Sequence, residues 1–264
     1  MDLMYHIASL PVWLAGLIVV ILPTLITMSG PIIVRRMVGV ERIVGNNEVA
    51  GFKFATLGVI YAVLLGLVVI SVWEKYSEGE DAVTRESSAI ASFYRVAGGL
   101  EPDTQQGLRE AISRYAESAV RDDWPAMTER GQSAKSRDAL NATYTVVLAF
   151  GVDTARDAVL FDTLLTQLDL VTDARRERLA LATGVVPMLI WLVLFIGAAL
   201  TLGFTFFFGL ENLRAQVMMA GMLALVIFLA LFVTISISHP FAGPINVAPE
   251  PIVLVLEDFK SEPN

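Results

Sequence analysis

Two sets of charged side chains begin where long apolar runs of this sequence end. The acids Glu74, Glu78, Glu80 and Asp81 follow one such run, and the bases Arg175, Arg176 and Arg178 precede another. Carboxylates at the mouth of an aqueous path attract cations, and guanidinium groups collect anions. Glu74, Glu78, Arg175, Arg176 and Arg178 are therefore a candidate charged mouth. The arginines have a second interpretation, as side chains that anchor a helix end at lipid headgroups.

A stripe of small residues precedes the acids. It comprises Ala55, Gly58, Ala62, Gly66 and Val69, which we call the small stripe. At about 100° per residue these five positions share one narrow helix face. Small side chains let helix backbones approach each other in a membrane, so the stripe can pack against another span of the same chain. Alternatively, copies of the stripe from several subunits line a pore that closes by dewetting.

The elements that carry these residues are predicted from hydropathy. The chain has 264 residues, is 55% hydrophobic and has a mean hydropathy of +0.62. A transmembrane helix needs ~20 apolar residues, and four uncharged runs are long enough: Pro11 to Val34, Phe54 to Trp73, Val185 to Gly209 and Ala215 to Ser238. We therefore predict an all-α, multi-pass membrane protein with four transmembrane helices.

The polar residues are concentrated between the second and third spans. Residues 74–178 hold 13 of the 19 basic and 19 of the 27 acidic side chains, with apolar residues at helical spacing. The predicted domains are residues 1–73 (two spans and a short basic loop), 74–184 (a helical extramembrane block), 185–238 (two spans) and 239–264 (a proline-rich tail). We expect the tail to be mostly extended, with one short amphipathic turn at "IVLVLEDF" as its helical alternative. We also expect the block to be built on helical extensions of the second and third spans.

Several classes of function are disfavoured by composition. The net charge of -8 argues against nucleic acid as a partner. Without cysteine, and with only two histidines far apart, the sequence predicts no metal site and no cofactor. No Walker A loop, nucleophile elbow or other catalytic motif is present, so we predict no catalytic residues and no enzyme. His239, beside a helix-ending proline, is interpreted as a plain interface residue.

Four spans place both termini on the same side as the polar block. The basic residues near the ends of the spans number five on each side and leave the orientation open. Arg42, in the short loop between the first two spans, is one of the five on its side.

Several motifs resemble a bacterial family of membrane proteins that have a bestrophin-like domain. The similar stretches are "NEVAGFKFATLGVIYAVLLGLVVISVWEKY", "ARRERL", "FFFGLENLRAQ" and "HPFAGPINVAPEP". Bestrophins are pentameric anion channels with four spans, a pore-lining second span and a cytosolic helical region. The resemblance implies a homo-oligomer, a pentamer, in the inner membrane with a cytoplasmic block.

Two functions follow as hypotheses. The first is an oligomeric ion channel with the second span near its axis, in contact with the bilayer and with ions. The second is a membrane-anchored scaffold or sensor whose helical block binds a partner without transport. The acidic exit of the second span departs from an anion channel, so the ion selectivity stays open.

Overall fold

The computed structural model describes residues 2–38, 47–209 and 212–261, and these residues form helices without any β-strand. The short basic loop with Arg42, and residues 210 and 211 of the connection between the last two spans, lie outside them. Four helices are long and apolar enough to cross a membrane. The prediction of an all-α membrane protein with four candidate spans is therefore confirmed.

The helices follow in this order. They are α1 (Asp2–Ala8), α2 (Val12–Val38), α3 (Asn47–Ala97), α4 (Pro102–Ser118), α5 (Trp124–Thr128), α6 (Ala134–Leu148), α7 (Ala155–Ala182), α8 (Met188–Thr205), α9 (Leu213–Ile237) and α10 (Glu250–Ser261). The candidate spans are α2, α3, α8 and α9.

Two π-helical turns interrupt this α-helical pattern. One, Leu17–Ile21, lies inside α2. It includes the residue four positions before Pro23, whose carbonyl the proline ring would crowd in a regular α-helix. The other, Ala119–Asp123, joins α4 to α5.

Helix α3 is one unbroken helix of 51 residues. At ~1.5 Å per residue it is about 75 Å long, more than twice the thickness of a bilayer core. It contains no proline, and its acids start after the apolar run. The predicted continuation of the second span as a polar helix is confirmed.

The corresponding prediction for the third span is wrong. Helix α7 begins with a capping box between Thr154 and Asp157 and ends at Ala182. Gly184 then adopts a left-handed φ of 93°, and Pro187 caps the start of α8. A left-handed residue followed by a proline cannot continue a helix, so the chain breaks between α7 and the span.

Helix α10 corrects a second expectation. Residues 250–261 are helical and not extended, because their prolines lie before or within the first turn, where no intrahelical N–H bond is lost. Ile252 is fully buried, and the Phe259 ring stacks on Tyr94 at 3.8 Å between centroids. Burial of this apolar face stabilises the helix.

The chain divides into two compact units. The membrane unit comprises Met1–Glu74 and Val185–Ser238, and the polar unit comprises Lys75–Gly184 and His239–Asn264. The membrane unit contains a cluster of buried apolar residues, with Tyr61, Leu65, Trp191 and Leu194 among its members.

Candidate functional site

The small stripe lies on an open face of α3. Ala55, Ala62 and Gly66 are exposed, and Gly58 and Val69 are partly exposed. A Cβ atom added at Gly58 or Gly66 would meet no atom within 4 Å. In the described residues, these two glycines therefore do not pack against another span of the same chain.

A different face of α3 enters the core of the membrane unit. Tyr61, Leu65 and Val72 are buried, and the Tyr61 hydroxyl donates to the Leu194 carbonyl at 3.2 Å. Around the helix axis, these buried positions lie on average less than a third of a turn from the small stripe. The packed face and the small stripe are therefore adjacent.

Close helix contacts in the membrane unit instead use three glycines outside the stripe. An added Cβ would lie 2.3 Å from the Phe206 ring at Gly30, 2.5 Å from the Tyr61 ring at Gly197, and 2.9 Å from the Met28 side chain at Gly221. These are the positions where small size permits close packing.

The two acids of the candidate mouth lie at the surface. Glu74 is exposed, as are the nearby Glu80 and Asp81, and Glu78 pairs with Lys75 through an Nζ–Oε2 distance of 2.6 Å. Both members of this pair are more than 40% exposed, so the attraction between them is weak.

The three arginines of the candidate mouth differ from one another. Arg176 is exposed and forms a loose pair with Asp173 at 3.4 Å. Arg178 is completely buried, and the Arg175 side chain is 7% exposed. Neither Arg175 nor Arg178 can anchor at headgroups or line an exposed mouth in this position, because both belong to the interior of the polar unit.

Arg178 binds Glu86 in a bidentate pair. Its Nε and Nη2 donate to the two carboxylate oxygens at 2.7 and 3.0 Å, and the Tyr115 hydroxyl donates to the same carboxylate at 2.5 Å. Burial lowers the pKa of the Arg178 guanidinium, but the charge of Glu86, the hydrogen bonds to it, and the charges of Tyr115 and Asp123 together outweigh burial and raise that pKa. Burial, and then the Glu86 charge, raise the pKa of the Tyr115 phenol well above its ordinary value. The phenol therefore remains a donor.

Arg175 binds Asp123 in the same manner. Its Nε and Nη2 donate to the carboxylate at 2.8 and 3.1 Å, and the Ser133 backbone N–H donates to it at 2.9 Å. Arg178 also approaches Asp123, at 3.4 Å, and its guanidinium lies over the Trp124 ring at 4.4 Å. Two arginines and two carboxylates form one neutral buried network that joins α3, α7 and the turn between α4 and α5.

The sequence carries a signal for this network that residue types alone did not reveal. Arg175 and Arg178 continue the 3–4 spacing of Leu164, Leu168 and Val171 on the buried face of α7. Glu86 likewise lies between Val83 and Ile90, which are buried. A charge within an apolar seam indicates a buried partner.

Asp123 could not be assigned by spacing. Leu108, Ile112, Tyr115 and Ala119 are buried at 3–4 spacing, and a further step of three or four positions leads equally to Asp122 or Asp123. In the structure, which has a π-turn at this place, Asp123 lies on the buried face and Asp122 pairs with Lys135 near the surface.

His239 is buried in the polar unit. Its Nε2 lies 3.5 Å from Arg130 Nη2, and an added Cβ at Gly184 would lie 2.8 Å from the same nitrogen. Burial, and then the Arg130 charge, lower the pKa of His239 to about 4. The histidine is therefore neutral at physiological pH, and it is packed more closely than a plain interface residue. Within the described ranges, no group of three His, Asp or Glu side chains is arranged to hold a metal ion.

Four candidate spans and a helical unit inserted between the second and third define the class: an all-α integral membrane protein. A family model described as a bestrophin-like domain matches residues 21–252. The chain belongs to the bestrophin-like family, as the motifs of the second span indicated.

Solved structures share the fold across almost their whole length. A bestrophin homologue from Klebsiella pneumoniae with one substitution has a TM-score of 0.70 at 15% identity, covering 92% of this chain and 99% of that chain. A second variant of that homologue has a TM-score of 0.68 at 15% identity and the same coverage. A structure described as a membrane protein, also a variant, has a TM-score of 0.69 at 15% identity, with coverage of 92% and 98%. No curated protein sequence matches the chain.

Proposed function

We propose that this protein is an oligomeric ion channel, with α3 nearest a central path formed by several copies. The proposal also places the protein in the cell's inner membrane, with the polar unit in the cytoplasm and without enzymatic activity. The family and the fold of bacterial bestrophin homologues support it. Both comparisons concern relatives, so the activity of this chain needs its own test.

One observation carries the proposal: Gly58 and Gly66 of the small stripe are left uncovered by the rest of the described chain. An added Cβ at Gly58 or Gly66 reaches open space, although the adjacent face of the same helix is buried in the core. A stripe of glycine and alanine offers little apolar surface to lipid, and close approach of another helix is its common use. A copy of the same helix around an axis supplies that neighbour and leaves a narrow path.

The wall of such a path would be uncharged and small. A constriction of this kind gates by dewetting, because water leaves a narrow apolar passage. At the end of the apolar run, the exposed acids Glu74, Glu80 and Asp81 would raise the local concentration of cations and repel anions. Arg175 and Arg178 are paired with buried carboxylates, so their positive charges do not offset the negative charges of these acids.

Single cysteines test which face of α3 is wet. The natural chain has no cysteine, so Gly58→Cys, Ala62→Cys and Gly66→Cys can each be probed with a water-soluble thiol reagent in intact membranes. We expect all three to be labelled, because thiols in an aqueous path ionise and react while those in lipid do not. Matched controls are Val63→Cys and Leu67→Cys, which lie one residue away on an exposed apolar face. These controls should be protected.

Protection of the stripe cysteines would contradict the pore and favour a dry helix interface. That outcome is the one expected of the alternative function, a membrane-anchored scaffold or sensor that binds a partner through its helical block.

Subunit number gives an independent test. Mass photometry or native mass spectrometry in nanodiscs should show a homo-oligomer, with five copies expected from the family. A monomer would overturn the channel. Ala62→Leu or Gly66→Leu should block ion flux through reconstituted vesicles or disrupt the oligomer, because a bulky side chain fills the path.

A further inference from the structure

The membrane unit contains an apolar cavity beside the first turns of α3, before the small stripe begins. Its volume is about 380 Å³, within the ~300–1,000 Å³ common for small-molecule sites. Phe54, Phe208, Met219, Ala220 and Leu223 form most of its wall. Gly51 forms another part, where an added Cβ would come no closer than 4.0 Å to the Phe208 ring. The cavity is therefore open space and not a close helix–helix contact.

One buried amide gives the cavity a polar end. Gln216 is 6% exposed, and its Nε2 donates to the Phe208 carbonyl. A primary amide has two N–H donors and an accepting oxygen, so the bond to Phe208 does not use its full hydrogen-bonding capacity. An apolar cavity with one buried amide suits a ligand with a long apolar body and a single hydrogen-bonding group.

The position of Gln216 along α9 matches the depth of such a group in a lipid. Helix α9 begins at Leu213, so Gln216 lies in its first turn, near the edge of the span. The ester groups of phospholipids lie at this edge, and acyl chains extend from it toward the bilayer centre. The amide N–H can donate to an ester carbonyl there.

The cavity opens onto the surface that meets the bilayer. Met219, in its wall, is 58% exposed, and it belongs to a run of exposed apolar side chains on α9 that includes Met218, Met222 and Val226. In a candidate span such side chains contact acyl chains. The cavity therefore opens toward the bilayer, and a lipid molecule can enter it from there.

From these observations we infer that the cavity binds one phospholipid per subunit. An acyl chain fills the space between Phe54 and Ala220, and its ester carbonyl accepts a hydrogen bond from the Gln216 amide. Lipid binding at this site does not require ion conduction. A test of lipid binding can therefore fail while the proposed channel function holds, and the reverse.

The test starts with the natural protein. A phosphatidylethanolamine that carries a diazirine on one acyl chain is reconstituted with the full chain, irradiated, and its adducts are mapped by mass spectrometry. We expect saturable adducts on Gly51, Thr205 or Ala220, which line the cavity. Adducts confined to the exposed Met222 and Val226 would overturn the proposal, since unbound lipid labels those positions.

Two variants fill the cavity from opposite walls. Gly51→Leu and Ala220→Leu should each lower the amount of phosphatidylethanolamine retained in native mass spectra by about tenfold or more. Gly203→Leu is the control, because an added Cβ there meets nothing within 4 Å and the residue is not in the wall. It should retain lipid like the natural chain.

Three results would contradict the assignment. One is equal retention in both filling variants and the control. Another is binding of free oleate without phospholipid. The third is loss of the oligomer in the filling variants with lipid retained, which would mean that a second copy occupies the space. Should one filling variant fail to fold, the adduct map of the natural chain still decides.

Discussion

In its first half α3 leaves Gly58 and Gly66 uncovered, whereas in its second half it buries Glu86, Ile90 and Phe93 completely. Glu86, Ile90 and Phe93 recur three or four positions apart, as do the members of the small stripe to which Gly58 and Gly66 belong. In water, burying an apolar seam is favourable, so the chain itself covers the second half. In lipid the same force is absent, and a helix face can remain open until a neighbouring helix packs on it.

The two halves also differ in where charge is buried. Glu86 is fully buried in the polar unit and paired with Arg178, while the buried polar residues described in the membrane unit are all uncharged. A buried charge is tolerated when a bidentate partner and further hydrogen bonds satisfy it. The spacing of the residues therefore indicates which helix face makes contacts. Whether water or lipid surrounds that face decides what it contacts.

Removing one charge from the buried network should have the largest effect on stability. Arg178→Leu leaves Glu86 without its bidentate partner, and we expect the free energy of unfolding to fall by about 3–5 kcal/mol. The exposed Arg176→Leu is the control and should change it by less than about 0.5 kcal/mol. Thermal unfolding in detergent measures both. Equal midpoints for the two variants would contradict a stabilising role for the network.

Crowding the close helix contact in the membrane unit should come next. Gly197→Ala places a Cβ against the Tyr61 ring, whose hydroxyl is tied to Leu194, so we expect a loss of about 1–3 kcal/mol. Gly66→Ala adds the same methyl group where nothing lies within 4 Å, and it should leave stability unchanged or raise it by up to about 1 kcal/mol. The reverse order of melting temperatures would show that the stripe, and not Gly197, packs within the chain.

A pH dependence is expected from His239. Its pKa falls from an ordinary 6.5 to about 4 in the folded protein, so the unfolded chain binds more protons between these values. This contribution to stability is fully present above pH 6.5 and is lost as the pH falls toward 4, by about 2–3 kcal/mol. Denaturant unfolding at pH 7.5 and pH 4.5 measures the loss. His239→Gln should reduce it, and an unchanged pH dependence in that variant would assign the effect to other groups.

The smallest effect is expected at the exposed pair beyond the apolar run of α3. Glu78→Gln removes the partner of Lys75, and we expect at most about 0.5–1 kcal/mol, further reduced in high salt. Unfolding at low and high ionic strength checks this. A loss comparable to that of Arg178→Leu would mean that Glu78 is buried in the assembled protein.

Much of the fold was predictable from the sequence because lipid imposes strong and local rules. A run of about twenty uncharged residues has few alternatives to a spanning helix. The unbroken α3 followed from the absence of proline. The break after α7 was missed because Gly184 and Pro187 lie within a long apolar run, where hydropathy outweighed their effect on the backbone.

Much less of the site was predictable. Arg175 and Arg178 were assigned to a membrane edge because they precede a span, although their spacing also continues the buried seam of α7. Their partners Glu86 and Asp123 lie 92 and 52 residues away, a separation that no local pattern can bridge.

The sequence by itself determined that this chain crosses a membrane with four helices and places most of its charge in a helical insertion, because hydropathy and helical periodicity act over a few turns. Only the tertiary structure decided which small residues pack, which arginines are buried and where a cavity remains. These outcomes depend on which faces of distant helices meet, as in the turn before Trp124, where Asp123 and not Asp122 binds the buried arginines.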